Sequence, residues 1–195
     1  MQSSVFAQSK LLHDKTIISF EVLLDNKPVG AHTFSIERSK NIINVHSKMQ
    51  LRIKFLGLFP VNYFHESSEY WRNGCLVGLE ATTKERGKAI RVSAQLKDKG
   101  LEIVSADGID TLQGCIKSFA YWDPNLLSGE RLLNTENGEL VSVNIKTINN
   151  QNDGSQSVVI ENSEADIYLE YSSAGQWLSL KSQLKVGGNL HYIRQ

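Results

Sequence analysis

Five polar residues, His32, Ser47, Glu66, Ser68 and Tyr70, fall where strand periodicity assigns an otherwise apolar face. Glu66 carries the most chemistry among them, because a carboxylate taken out of water must be paired, hydrogen-bonded or neutralised. These residue types support three readings. A polar patch within an apolar enclosure is the usual anatomy of a small-ligand site. Glu66 and His32 are the residue types of a general acid–base pair. In the third reading the five groups satisfy one another by hydrogen bonds, as buried polar groups mostly do.

Few other chemistries remain open. The chain has no G-x-S-x-G, no P-loop and no G-x-G-x-x-G, and its five histidines show no metal-ligand spacing. No catalytic residue, metal site or cofactor is therefore assigned. The leading expectation is a non-enzymatic shell that binds a small hydrophobic or lipid-like molecule at Glu66, Ser68, Tyr70, His32 and Ser47. The alternatives are an enzyme using the interior Glu/His pair, or an envelope interaction module with no pocket. Charge is balanced at 21 basic and 21 acidic residues, and without a basic stripe a nucleic-acid partner is not expected. No apolar run approaches the ~20 residues of a membrane-spanning helix.

The elements that must position these residues are strands. Asn73-Gly74 is the preferred two-residue hairpin turn, because both central residues need positive φ. It sets Arg72 opposite Cys75, and an unbroken ladder then places Phe64, Glu66, Ser68 and Tyr70 with Val77, Leu79, Ala81 and Thr83. The other face takes Tyr63, His65, Ser67, Glu69 and Trp71, which leaves His65 solvated. In the run from Ile42 to Phe55, Ile43, Val45, Ser47, Met49, Leu51, Ile53 and Phe55 alternate with Asn44, His46, Lys48, Gln50, Arg52 and Lys54. A strand of this length must coil, as strands of barrels and half-barrels do.

Further turns at Asp25-Asn26-Lys27-Pro28, 38–41, Arg86-Gly87 and Lys99-Gly100 extend the meander. The pairings expected from them are Phe20 with Phe34, Val22 with His32, Ser47 with Tyr70, Ala81 with Val92 and Leu96 with Ile103. Residues 114–138 interrupt it; there Asp123 can cap a short helix with Pro124 at its first position. Phe119, Tyr121 and Trp122 either line a cavity mouth or, the preferred reading, plug a barrel end. Strands resume at roughly 139–148, 156–161, 164–171, 176–186 and 189–193, with Leu169 opposite Leu180 and Tyr171 opposite Leu178. The expected fold is all-β: one antiparallel meander of about eleven strands, coiled into a barrel or half-barrel, with one short helix. Residues 1–15 are read as a flexible segment and 16–195 as a single barrel-like domain.

Cys75 and Cys115 lack metal-site spacing, and either a disulfide or two buried thiols fits the sequence. Val5-Phe6-Ala7 carries small residues of the kind a signal peptidase selects. The run Glu69-Tyr70-Trp71-Arg72-Asn73-Gly74-Cys75-Leu76-Val77-Gly78-Leu79, with Thr83 and Gly87, resembles an E-x-W-x-x-G-x-L-x-x-L…T…G pattern. That pattern belongs to a family of uncharacterised bacterial exported proteins of about this length. Tyr121-Trp122-Asp123-Pro124, Leu132-Leu133-Asn134 and Asn137-Gly138-Glu139 are similar to the same family. The resemblance implies a periplasmic or otherwise exported protein with a curved antiparallel sheet. The layout is also similar to lipoprotein-carrier half-barrels that shelter an acyl chain.

Overall fold

A computed structural model describes residues 14–54, 60–149, 152–184 and 188–195. The expected flexible start up to residue 13, Phe55, the loop at 57–59 and the strand end at 185–186 lie outside the described residues. Fourteen strands form one antiparallel sheet. They are β1 (Asp14–Leu24), β2 (Lys27–Ser39), β3 (Ile42–Lys54), β4 (Pro60–Arg72), β5 (Cys75–Glu85), β6 (Lys88–Lys97), β7 (Gly100–Ser105), β8 (Gly108–Leu112), β9 (Arg131–Leu133), β10 (Leu140–Asn149), β11 (Gln156–Asn162), β12 (Ile167–Tyr171), β13 (Trp177–Gln183) and β14 (Asn189–Arg194). The spatial order runs β8 back to β1, then β14 back to β9. The sheet is thus an open meander, and pairing of β1 with β14 joins its two halves.

The hairpin turns follow their residues. Asn73 and Gly74 take φ of 52° and 76°, and Arg86 and Gly87 take 49° and 76°, as mirror-type turns require. In β3, Val45, Met49 and Leu51 are buried, Ile43 and Ile53 pack against the core, and Lys48, Gln50 and Arg52 face water. The β5–β6 pairing of Ala81 with Val92 is as the turn residues dictate. The β1–β2, β2–β3 and β6–β7 ladders slip by two residues, which keeps each face. Phe20 lies opposite His32, Phe34 opposite Ser47, and Leu96 opposite Leu101.

Two slips are odd, both at β4, and they change its face: Ser47 of β3 lies opposite Ser67 rather than the expected Tyr70, a slip of three. Between β4 and β5, Arg72 faces Cys75 and Trp71 faces Leu76, but Tyr70 faces Gly78. Val77 is the extra residue of a β-bulge, so every later pair is displaced by one. Tyr63, His65, Ser67, Glu69 and Trp71 therefore turn inward, while Phe64, Glu66, Ser68 and Tyr70 turn outward. A second bulge puts Trp177, rather than Leu178, opposite Tyr171, and Leu169 stays opposite Leu180.

The segment between β8 and β9 crosses the concave face. A Cys75–Cys115 disulfide anchors its start, and the Leu76 amide donates to the Ile116 carbonyl at 2.8 Å. Ile116, Ala120, Trp122, Leu126 and Leu127 are buried from it. Asp123 caps it as expected, accepting from the Asn125 amide at 3.1 Å, but the helix is a single 3-10 turn, Pro124–Leu126. Trp122 is buried and packs edge-on against Trp71 at 5.8 Å, as part of the core. The β9–β10 turn folds inward onto β7: a Cβ on Gly138 would lie 2.9 Å from the Ser105 Cβ. The edges of the open sheet thus approach through side-chain contact.

Candidate ligand cavity

Between the concave sheet face and the crossing segment lies a cavity of about 370 Å³. Phe34 from β2 and Met49, Leu51 and Ile53 from β3 form one apolar wall, and Leu180 and Leu190 from β13 and β14 form another. Polar lining groups come from β4, the crossing segment and the β9–β10 turn, among them Tyr63, His65, Glu69, Ser118, Thr135 and Glu136.

Glu69 is the deepest acid. Its Oε2 accepts from Ser118 Oγ at 2.6 Å and Trp71 Nε1 at 3.0 Å. Desolvation nevertheless pushes its pKa above the ordinary carboxylate value, the two hydrogen bonds opposing only in part. Glu136 stands at the β9–β10 turn, where the Asn134 Oδ1 accepts from the Glu136 amide at 2.9 Å. Desolvation raises its carboxyl as well; Tyr63 opposes the shift, and Glu164 and Glu85 add to it. The Tyr63 hydroxyl is buried beside Glu136 without a hydrogen bond of ordinary geometry.

The two inward histidines are neutral and internally satisfied. Tyr192 donates its hydroxyl proton to Met49 Sδ at 3.1 Å. His32 Nδ1 lies 3.2 Å from the Tyr192 hydroxyl and Nε2 lies 2.7 Å from Ser47 Oγ, so both ring nitrogens are engaged. Burial, with a smaller push from His65, lowers the His32 pKa to about 3. His65 sits between Thr83 Oγ1 at 2.9 Å and Thr135 Oγ1 at 3.2 Å, and burial lowers it to about 4. The expectation of a solvated His65 is corrected by the bulge.

Of the five residues singled out from sequence, His32 and Ser47 line the cavity and hydrogen-bond each other. Glu66, Ser68 and Tyr70 do not join them. Glu66 Oε1 lies 3.3 Å from His46 Nε2 on the outer face, with its side chain 41% exposed. His46 Nδ1 and Ser68 Oγ are 3.2 Å apart there, and Tyr70 lies across Gly78. The sheet separates Glu66 from His32, so they form no acid–base pair. Phe119 and Tyr121 line the cavity, whereas Trp122 is buried in the core.

Sequence reasoning missed Tyr63, His65, Glu69, Glu136 and Tyr192. The available signal was Gly78, since an isolated glycine within a strand marks a bulge or close approach.

Among curated proteins no sequence match is found. In structure the chain is similar to a β-barrel-like protein of domain of unknown function DUF1849 from Brucella abortus. The TM-score is 0.65 at 10% identity, over 93% of this chain and 95% of that one. That likeness concerns the fold alone. The family model that matches is itself one of unknown function and spans residues 20–195, from β1 to the last residue. With nearly all of the coiled sheet inside that match, the chain belongs to the family of domain of unknown function DUF6134.

Proposed function

We propose that the protein binds one small amphipathic molecule inside its β-shell and performs no chemistry on it. The observation that carries this reading is the cavity of about 370 Å³, lined by apolar side chains of β2, β3, β13 and β14 and by carboxyl and hydroxyl groups. Small-molecule sites typically enclose ~300–1,000 Å³ with this mixture of surfaces. The interior histidines support binding over catalysis, because their ring nitrogens are engaged and both pKa values are lowered by burial. A pocketless module does not fit such an interior. The Cys75–Cys115 bridge supports an exported, periplasmic setting, since structural disulfides persist in oxidising compartments.

Titration with N-phenyl-1-naphthylamine, a neutral dye that brightens in apolar surroundings, tests the reading. Saturable binding of one dye per chain is expected. A flat titration at concentrations below dye aggregation would remove the proposal.

A further inference from the structure

Resting on that reading of the cavity, we infer that the polar end of the bound molecule is an ammonium group. Three carboxyl residues line the cavity, Glu69, Glu136 and Glu164, and no Lys or Arg appears among its described lining residues. An anionic head group would enter with no countercharge and would face carboxyls, an arrangement that desolvation makes costly. Glu69 is already satisfied by Ser118 and Trp71. Glu136 is the carboxyl left for a ligand, with Glu164 exposed at the rim.

The aromatic lining points the same way. Tyr63, Phe119, Tyr121 and Tyr192 line the same cavity as the carboxyl groups. Ring faces attract cations, and a carboxyl with aromatic walls is a recurring arrangement for ammonium recognition. The Tyr63 hydroxyl, buried and without a hydrogen bond of ordinary geometry, remains as an acceptor for an N–H donor. The groups whose charge reaches Glu136 are Tyr63 of β4, Glu85 of β5 and Glu164 of the β11–β12 turn. Tyr192 of β14 and Tyr121 of the crossing segment feel it in turn. All of these are neutral or anionic, so among the described residues no cation competes with the ligand at this carboxyl. An arriving ammonium would set a positive charge beside the Glu136 carboxyl.

The test displaces N-phenyl-1-naphthylamine with three compounds of one tail: decylammonium, decanol and decanoate, at neutral pH. Decylammonium should compete at least about tenfold more strongly than decanoate, the scale of one charge-assisted contact. Glu136→Gln should narrow that gap, Glu164→Gln should narrow it less, and Glu66→Gln on the outer face should leave it unchanged. Should Glu136→Gln fail to fold, Glu164→Gln still carries the comparison. Equal or stronger competition by decanoate, or a preference for decanol alone, overturns the ammonium assignment while leaving the binding reading intact. A dye that never binds removes the binding reading first, and the two failures are thus distinct.

Discussion

Ser118 of the crossing segment donates to Glu69 of β4 at 2.6 Å, a hydrogen bond between residues 49 positions apart in sequence. The same carboxylate oxygen receives Trp71 Nε1, so one interior acid holds the crossing segment against the sheet. Burial favours the protonated carboxyl. Glu69→Gln preserves the accepting oxygen and should change stability by no more than about 1 kcal/mol. Glu69→Ala strands two buried donors and opens a void, and should cost about 3 kcal/mol. Urea melts of the two variants distinguish a neutral Glu69 from an ionised one, for which Gln would cost nearly as much as Ala.

The buried histidines set a sign for the pH response. Their folded pKa values, about 3 for His32 and about 4 for His65, lie below the ordinary 6.5. Their stabilisation is complete above ~6.5 and is lost as pH falls, because the unfolded chain takes up protons that the folded chain refuses. Well below that value each contributes a slope of up to roughly 1.4 kcal/mol per pH unit. Glu69 and Glu136 act in the opposite direction, since the folded chain protonates them earlier than the unfolded chain does. Unfolding free energies from about pH 7.5 to about pH 5 should therefore fall less steeply than the histidines alone require. The fall should become shallower still, or reverse, in His32→Asn, and steeper in Glu69→Gln.

The disulfide closes a loop with a sequence separation of 40. Chain entropy alone puts its contribution at about 4 kcal/mol. Cys75→Ser with Cys115→Ser should lower the urea midpoint accordingly and increase hydrogen exchange at Leu76, whose amide bonds the crossing segment.

Gly138 combines φ of +85° with a backbone too close to β7 to carry a side chain. Gly138→Ala should cost about 1–3 kcal/mol, through both strain and the clash with Ser105. A melt within a few tenths of a kcal/mol of the parent would show that the turn does not pack there.

Much of this architecture was legible because alternation in β3 is strict, and because Arg86-Gly87 fixes β5 against β6 without a bulge. β4 was ambiguous. Both of its faces carry aromatic and polar residues, so its own pattern cannot say which points inward. The decision passed to the Asn73-Gly74 turn, and Val77 bulges immediately beyond it. That inserted residue, together with the three-residue slip of β4 against β3, exchanged Glu66 for Glu69 and brought in His65. The short strands β8 and β9 were illegible for another reason. At five and three residues they are too brief for a period to register. Glu136 was hidden because a turn carboxylate ordinarily faces solvent, and only the inward fold of β9–β10 brings it to the cavity.

Native mass spectrometry of the protein incubated with a lipid extract addresses the enclosed site most directly. A single small molecule retained per folded chain, and released on unfolding, is the expected result. Spectra showing only the bare chain at every extract concentration would contradict a ligand-binding shell.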